Sequence, residues 1–254
     1  MTLPRHTTTI VSTIALIAAL AAPSFAQDAM SSDAMSGDAM SSDAMSSDAM
    51  APMGDSMMMG GGKTIMITIE NLLTGQPFSP SFFAAHAAGS APLFKVGDKA
   101  SEALAAVAEG GNIGMFSVGA AKNEDMSVGD AALAIHTLPG QTRTLYITVD
   151  EAHPVIDGVW MLGNTNDGFS GVSGVDAFAL MAPTTVEVLG YDAGSEINSE
   201  KKGFLGALGG GNDRDPENGV ITQHQGIRGD ADAPKDWNWD VTAPVARVTF
   251  TPLN

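Results

Sequence analysis

The sequence of 254 residues contains no cysteine, only two tyrosines and only 12 lysine and arginine residues. Without cysteine the chain has no disulfide, no thiolate metal site and no cysteine nucleophile. Its cations face 29 aspartate and glutamate residues, which gives a net charge of −17. This balance argues against nucleic acid and anionic membrane surfaces as partners, because both attract clustered cations. The excess of acids favours cationic ligands, or it serves only to solvate the surface.

Residues 1–26 have the pattern of a secretory signal. The cation Arg5 precedes an apolar run, Ile10–Ala22, and Pro23 ends that run before the small residues of a Ser-Phe-Ala cleavage site. The run is too short to span a bilayer, since a transmembrane helix needs about 20 residues. We therefore expect an exported protein, periplasmic or secreted, without a membrane anchor. An uncleaved anchor is the alternative.

Residues 27–62 form a low-complexity tail built on a five-residue repeat of the type Ser-Ser-Asp-Ala-Met. A period of five matches neither a helix nor a strand, and the tail has no aromatic or β-branched residue. The composition therefore predicts a disordered spacer. Nine of the 15 methionines lie in this tail. Because thioether sulfur suits Cu(I), the alternative is a metal-handling segment.

A folded domain is predicted for residues 63–254. Ile65, Ile67 and Ile69 alternate with polar residues, as in a half-buried strand. Similar short runs follow, separated by Gly, Pro, Asn and Asp. One helix is predicted near residues 98–110, with Asp98 at its start and an apolar stripe along one side. The pattern predicts a mainly β fold, an antiparallel β-sandwich with one short helix.

Signatures of enzymes are scarce in this domain. The segment Gly168–Val172 lacks the second glycine of a nucleophile elbow, and residues 206–211 lack the Lys-Ser/Thr of a phosphate-binding loop. The four histidines of the domain do not have zinc-site spacing, and each is interpreted as a hydrogen-bonded structural residue: His86, His136, His153 and His224. We name no catalytic residue and expect a protein that is not an enzyme.

Three acidic loops could supply oxygen ligands to a hard cation such as calcium. Residues 165–169 (Thr-Asn-Asp-Gly-Phe) follow one apolar strand, and residues 192–198 (Asp-Ala-Gly-Ser-Glu-Ile-Asn) follow another. These two loops form one site if their strands end at the same edge. The third loop, residues 213–219, departs from an EF-hand because its glycine falls one place late and His224 stands where the bidentate glutamate belongs. Spacing alone leaves ordinary Asx-type turns as the alternative.

The order of short motifs along the domain resembles the spondin N-terminal domain family in its bacterial form. The resemblance covers nearly all of residues 64–251. The motifs that carry it are Asn71-Leu72, Gln76-Pro77-Phe78-Ser79-Pro80, His86, Leu93-Phe94, Gly97, Ala100-Ser101, Ala108-Glu109-Gly110, Thr165-Asn166-Asp167-Gly168-Phe169, Asp192-Ala193-Gly194-Ser195-Glu196-Ile197-Asn198 and Pro244-Val245-Ala246-Arg247-Val248.

The resemblance implies a β-sandwich related to C2 domains and one calcium ion held by three acids. By residue type and position these acids are Asp167, Asp192 and Glu196. The chain departs from the family at two places: Ser195 replaces a threonine, and Glu196 replaces an aspartate. The longer glutamate side chain could displace the ion or change how many of its oxygens bind.

The sequence as a whole favours an exported calcium-binding recognition or adhesion module. Its partner would be an extracellular glycan, protein or matrix component, and the ligand itself stays open. Two alternatives remain: Cu(I) handling through the methionine-rich tail, and a calcium-dependent hydrolase using Asp167 or Glu196 as base. Trp237 and Trp239 either stack on sugar rings or close an edge of the core, and the second role is the more common one.

Overall fold

Two antiparallel sheets of short strands form the framework of the computed structural model, which describes residues 61–123, 126–128, 135–210 and 213–253. These residues belong to the unit Asp55–Asn254. The predicted signal and residues 27–60 of the predicted tail lie outside the described residues. The strands are β1 (Lys63–Asn71), β2 (Phe82–His86), β3 (Met126–Val128), β4 (Thr142–Val149), β5 (Val155–Met161), β6 (Gly168–Asp176), β7 (Thr184–Val188), β8 (Gly190–Asp192), β9 (Thr222–Gln223) and β10 (Ala246–Pro252).

The strands form a four-stranded sheet in the order β4-β1-β10-β7 and a six-stranded sheet in the order β3-β2-β5-β6-β8-β9. Every pairing within them is antiparallel. One core cluster contains residues of both sheets, among them Ile67 of β1, Phe250 of β10 and Trp160 of β5. The predicted fold class, a mainly β antiparallel sandwich, is therefore confirmed.

Strand β1 shows how the residue pattern produces this packing. Its three isoleucines are at most 1% exposed, whereas the residues between them, Met66 and Thr68, are half-buried. Successive side chains of a strand point to opposite faces, so the isoleucines all enter the space between the sheets. Strand β10 pairs with β1 and places Val248 opposite Ile69 and Phe250 opposite Ile67. Both of these partners are fully buried.

The six-stranded sheet is covered on both faces, which explains why the residues of its central strands do not alternate between buried and exposed. All five residues of β2 are buried. Phe83 lies in the core between the sheets, whereas Phe82 packs in a second cluster with Leu104 and Val107 of a helix. A strand buried on both faces has a nearly continuous apolar sequence, as the Phe-Phe-Ala-Ala segment of β2 does.

Two α-helices cover the outer face: α1 (Glu102–Gly110) and α2 (Gly114–Ala120). Helix α1 is the predicted one, but it begins at Glu102, and its cap is Ser101, whose Oγ accepts the backbone N–H of Leu104 at 3.2 Å. Gly111 ends it with φ of 65°. Helix α2 is additional to the sequence prediction. No helix within the described ranges is long and apolar enough to cross a membrane. Short 3₁₀ turns occur at Gly206–Leu208 and Lys235–Trp237.

Candidate functional site

The first two acidic loops meet at one end of the six-stranded sheet. Asp167 directly precedes β6, and Asp192 is the last residue of β8. Strands β6 and β8 pair with Gly168 opposite Asp192. A further backbone hydrogen bond joins the N–H of Ala193 to the carbonyl of Asp167 at 3.1 Å. The condition set by the sequence analysis for a single site, that the two strands end at the same edge, is therefore met.

The Asp167 carboxylate lies at the centre of this junction and is fully buried. Its Oδ2 accepts the backbone N–H groups of Ser195 at 2.7 Å and Glu196 at 2.9 Å, and the Ser195 hydroxyl at 3.2 Å. Its Oδ1 has no hydrogen-bond partner among the described residues. Burial raises the pKa of Asp167 to about 7, the negative charge of Asp192 adds to the rise, and the three hydrogen bonds oppose it.

Asp192 shapes the turn that supplies these donors. Its Oδ1 accepts the N–H of Gly194 at 2.7 Å, and its Oδ2 accepts the side-chain amide of Asn198. Gly194 has φ of 66°, and a Cβ there would lie 2.7 Å from the backbone nitrogen and oxygen of Val220. The turn therefore requires glycine both for its left-handed backbone and for the close approach of the next chain segment.

Glu196 faces the other side of the turn. It is 2% exposed, and its Oε1 accepts Nη1 of Arg214 at 2.9 Å. Its Oε2 has no partner among the described residues. Burial raises the pKa of Glu196, and the guanidinium of Arg214 opposes that rise. The Glu196 carboxylate is thus paired with a cation of the chain itself. This pairing is more favourable than an unpaired carboxylate in the interior, whose buried charge would be uncompensated.

Across the described residues, no three Asp, Glu or His side chains are gathered in a way that would hold a metal ion. Asp167 and Asp192 are close enough for their charges to interact, and they offer the hard oxygen ligands that calcium prefers. The free Oδ1 of Asp167 fits such an ion, whereas Glu196 is occupied by Arg214. Calcium ligation by Asp167, Asp192 and Glu196 stays a prediction.

A second layer of buried polar groups, Asn166, Glu200 and His224, lies behind the junction, and no sequence pattern predicted that they would meet. The Glu200 carboxylate accepts the backbone N–H groups of Arg228 and Gly229, each at 2.7 Å. The side-chain oxygen of Asn166 accepts the N–H of Glu200 at 3.4 Å. Glu200 itself has φ of 53°, the positive value rarely adopted by a residue other than glycine. A positive φ at a buried glutamate marks a position fixed by its surroundings.

His224 belongs to the same layer and is 1% exposed. Its Nδ1 accepts the N–H of Gly226 at 2.9 Å, so the neutral ring carries its proton on Nε2. Burial lowers the pKa of His224 to about 4, although the charges of Asp192 and Glu200 oppose the shift. Its interpretation as a hydrogen-bonded structural histidine agrees with this geometry.

The third acidic loop, residues 213–219, is hydrogen-bonded to the turn at residues 192–198. The carbonyl of Asp215 accepts the N–H of Ile197 at 2.9 Å, and the N–H of Glu217 donates to the carbonyl of Ser195 at 2.8 Å. Arg214 bridges from this loop to α1, with Nη1 3.2 Å from Oε2 of Glu109. The loop therefore connects the turn at residues 192–198 to the end of helix α1.

A cavity of about 520 Å³ opens beside Arg214. Its polar walls come from Glu109, His136, Asp213 and Arg214, and its apolar walls include Pro77, Pro80, Met161 and Phe204. The residues Asn164 and Thr165, which precede Asp167, also line it. The cavity therefore lies next to the acidic junction, although Asp167, Asp192 and Glu196 do not line it. The sequence did not reveal the cavity because its walls come from six separate segments.

The two tryptophans of the acidic stretch close an edge of the core. Trp237 and Trp239 pack against the cluster of Leu205, Ile227 and Ala233. The ring of Trp239 also lies 5.1 Å from that of His224. Of the two roles considered for them, the structural role is the one that this packing supports.

In comparisons with known proteins, no family model matches this chain and no curated protein matches it. The resemblance to spondin domains therefore rests on the motifs quoted above.

Proposed function

We propose that this chain is an exported recognition module of the spondin type, stabilised by calcium and not an enzyme. The observation that carries the proposal is the Asp167 carboxylate, which is fully buried, has one oxygen without a partner, and faces the second acid Asp192. Two like charges at a buried site are unfavourable unless a cation or a proton lies between them. An exported protein would meet calcium outside the cytoplasm.

Asp167 and Asp192 would hold the ion, and Glu196 would have only Oε2 free to join them, since its Oε1 accepts Arg214. Bound calcium would supply positive charge that neutralises the pair. The residues of the chain do the rest: Oδ2 of Asp167 closes the 194–196 turn, and Gly194 lets residues 219–220 pack against it. The outcome is a rigid loop cluster next to the cavity, a suitable platform for recognising a glycan, protein or matrix ligand.

Thermal unfolding of the full chain with calcium, with magnesium and with a chelator tests this proposal. A ligand at ten times its Kd stabilises the native state by about 1.4 kcal/mol. For a folded region of this size, that corresponds to a rise in Tm of about 3 to 5 °C. We expect the rise with calcium alone, since magnesium releases its water reluctantly and prefers a regular octahedral site.

Three variants make the test specific. Asp192→Asn keeps the size of the side chain but removes one charge, so it should abolish the calcium response. Glu196→Gln still accepts Arg214 and shows whether Glu196 is a ligand. The matched control is Asp236→Asn, at an exposed acid in the Lys235–Trp237 turn, and it should respond like the original chain. The proposal is wrong if calcium does not raise the Tm of the unmodified chain, or if it raises the Tm of Asp192→Asn by the same amount.

A further inference from the structure

The cavity beside Arg214 has the size and walls of a small-molecule site. Its volume of about 520 Å³ falls within the range of roughly 300 to 1,000 Å³ found for ligand pockets. Arg214, with its side chain 43% exposed, lies between the cavity and the buried Glu196. The end of α1 forms one wall through Gly110 and Gly111, so no side chain fills the cavity from that direction.

The charged groups of the cavity are already paired with each other. Nη1 of Arg214 lies 3.2 Å from Glu109 and 2.9 Å from Glu196, so one guanidinium faces two carboxylates. An anion would therefore meet an arginine that is neutralised, together with the carboxylate of Asp213. The carboxylates of Glu109, Glu196 and Asp213 outnumber this one guanidinium, so the walls disfavour an anion. An organic cation is the competing ligand class, and the test includes one.

What the walls do offer is a mixture of hydrogen-bond donors and acceptors beside apolar surface. Guanidinium carries five N–H groups, and within the described residues the hydrogen bonds of Arg214 side-chain atoms all come from Nη1. Its Nη2 lies 3.8 Å from where a Cβ on Gly110 would be, beside the cavity wall. Glu109 and Asp213 provide acceptors, and Pro80 and Phe204 provide apolar surface. A molecule whose hydroxyls both donate and accept matches this mixture.

We propose that the cavity binds a neutral polyhydroxylated ligand, a sugar unit, with Arg214, Glu109 and Asp213 hydrogen-bonding its hydroxyls and Pro80 and Phe204 contacting its C–H surface. This inference rests on the proposed recognition function and names the ligand class that the loop cluster would serve. Asp167, Asp192 and Glu196 do not line the cavity, so the proposals of calcium binding and of sugar binding can fail separately.

The test measures binding to the full chain of N-acetylglucosamine, galactose and glucose, with spermidine and inorganic phosphate as cationic and anionic probes. Saturation-transfer NMR detects weak binding, and titration calorimetry gives the affinity. We expect at least one neutral sugar to bind with little dependence on salt between about 50 and 500 mM, because screening acts on charged ligands. Binding of spermidine or phosphate without any sugar would overturn the inference.

The decisive variant is Gly110→Leu, which places a side chain in the cavity. A Cβ at Gly110 would meet only Nη2 of Arg214, at 3.8 Å, so the fold should tolerate it. Gly119→Leu is the matched control, because Gly119 is also helical and a Cβ there meets nothing within 4 Å. We expect Gly110→Leu to weaken sugar binding by about tenfold or more and Gly119→Leu to leave it unchanged. Equal affinity in the two variants would refute the site.

The calcium melt and the sugar titration together separate the two proposals. A normal calcium response together with absent sugar binding in the unmodified chain leaves the calcium-stabilised module standing and refutes the sugar site. Sugar binding that Gly110→Leu abolishes, in a chain that ignores calcium, supports the sugar site and refutes the calcium site.

Discussion

Asp167 and His224 are buried groups whose pKa values are displaced in opposite directions, and the calcium-free protein should show the result. Burial and the neighbouring charge of Asp192 raise the pKa of Asp167 from 3.8 to about 7. Burial lowers the pKa of His224 from 6.5 to about 4, against the charges of Asp192 and Glu200. Each displacement makes the free energy of unfolding depend on pH.

The signs follow from which state binds the proton. Between about pH 4 and 7, the folded state keeps the Asp167 proton that the unfolded chain has lost, so stability falls as pH rises through this window. Between about pH 6.5 and 4, the unfolded chain protonates His224 while the folded state does not, so stability falls as pH decreases. From about pH 5 to 8, Asp167 removes about 3 kcal/mol and His224 adds about 2 kcal/mol.

The two effects oppose each other in the unmodified chain, and single variants should separate them. Asp167→Asn cannot ionise but keeps a carbonyl oxygen for the N–H groups of Ser195 and Glu196. Between about pH 5 and 8, we expect this variant to gain about 3 kcal/mol relative to the unmodified chain, because the loss caused by Asp167 is removed. His224→Gln should lose about 2 kcal/mol relative to the unmodified chain over the same interval. Urea unfolding of the full chain in a chelator at both pH values measures these changes.

Comparison of variants at matched pH removes the contribution of every other titrating group. The exposed Asp236→Asn should have the same pH dependence as the unmodified chain. If Asp167→Asn and the unmodified chain show parallel pH profiles, Asp167 does not keep its proton near neutral pH. The electrostatic argument for a cation at the Asp167–Asp192 pair would then fail too.

Substitutions at two further positions, each with a control, test the local geometry of the site and of helix α1. Gly194→Ala should lower the free energy of unfolding by about 3 kcal/mol in urea titration, because Gly194 combines a positive φ with a 2.7 Å approach of its Cβ position to Val220. Its control, Gly209→Ala, has a positive φ but open space around the Cβ position, and it should cost about 1 kcal/mol. Ser101→Ala should cost about 1 kcal/mol through loss of the helix cap, and Ser101→Gly only a few tenths, as measured by the same method.

The sequence predicted best those features that depend on local pattern. The alternating isoleucines of β1 identified a half-buried strand, since one face enters the core and the other faces solvent. Each of the two acidic loops follows an apolar strand, and the sequence left open whether these strands end at the same edge. The cap of α1 was placed at Asp98 because aspartate and serine both cap helices, and only the backbone path shows that Ser101 Oγ reaches the N–H of Leu104.

Features that depend on tertiary contacts were missed. Helix α2 (Gly-Met-Phe-Ser-Val-Gly-Ala) has two glycines, and its N-cap Ile113 makes no side-chain hydrogen bond, so propensity argues against it. The stacking of Phe116 on Phe82, with ring centroids 5.2 Å apart, supplies the packing that local sequence lacks. Residues Asn166, Glu200 and His224 are far apart in sequence, and no spacing rule relates them.

The distribution of buried polar atoms distinguishes a structural junction from a functional one. Glu200 and Asp192 have their oxygens engaged by donors of the chain, as the interior of a stable protein requires. Asp167 Oδ1 and Glu196 Oε2 are buried without a partner among the described residues, at opposite sides of the same turn. Glu196 already has a cationic partner in Arg214, whereas Asp167 has no cation beside it in the part of the chain that the structure describes and lies near the charge of Asp192. The proposed calcium ion would supply that missing positive charge, so calcium binding should be sought first at Asp167 and Asp192.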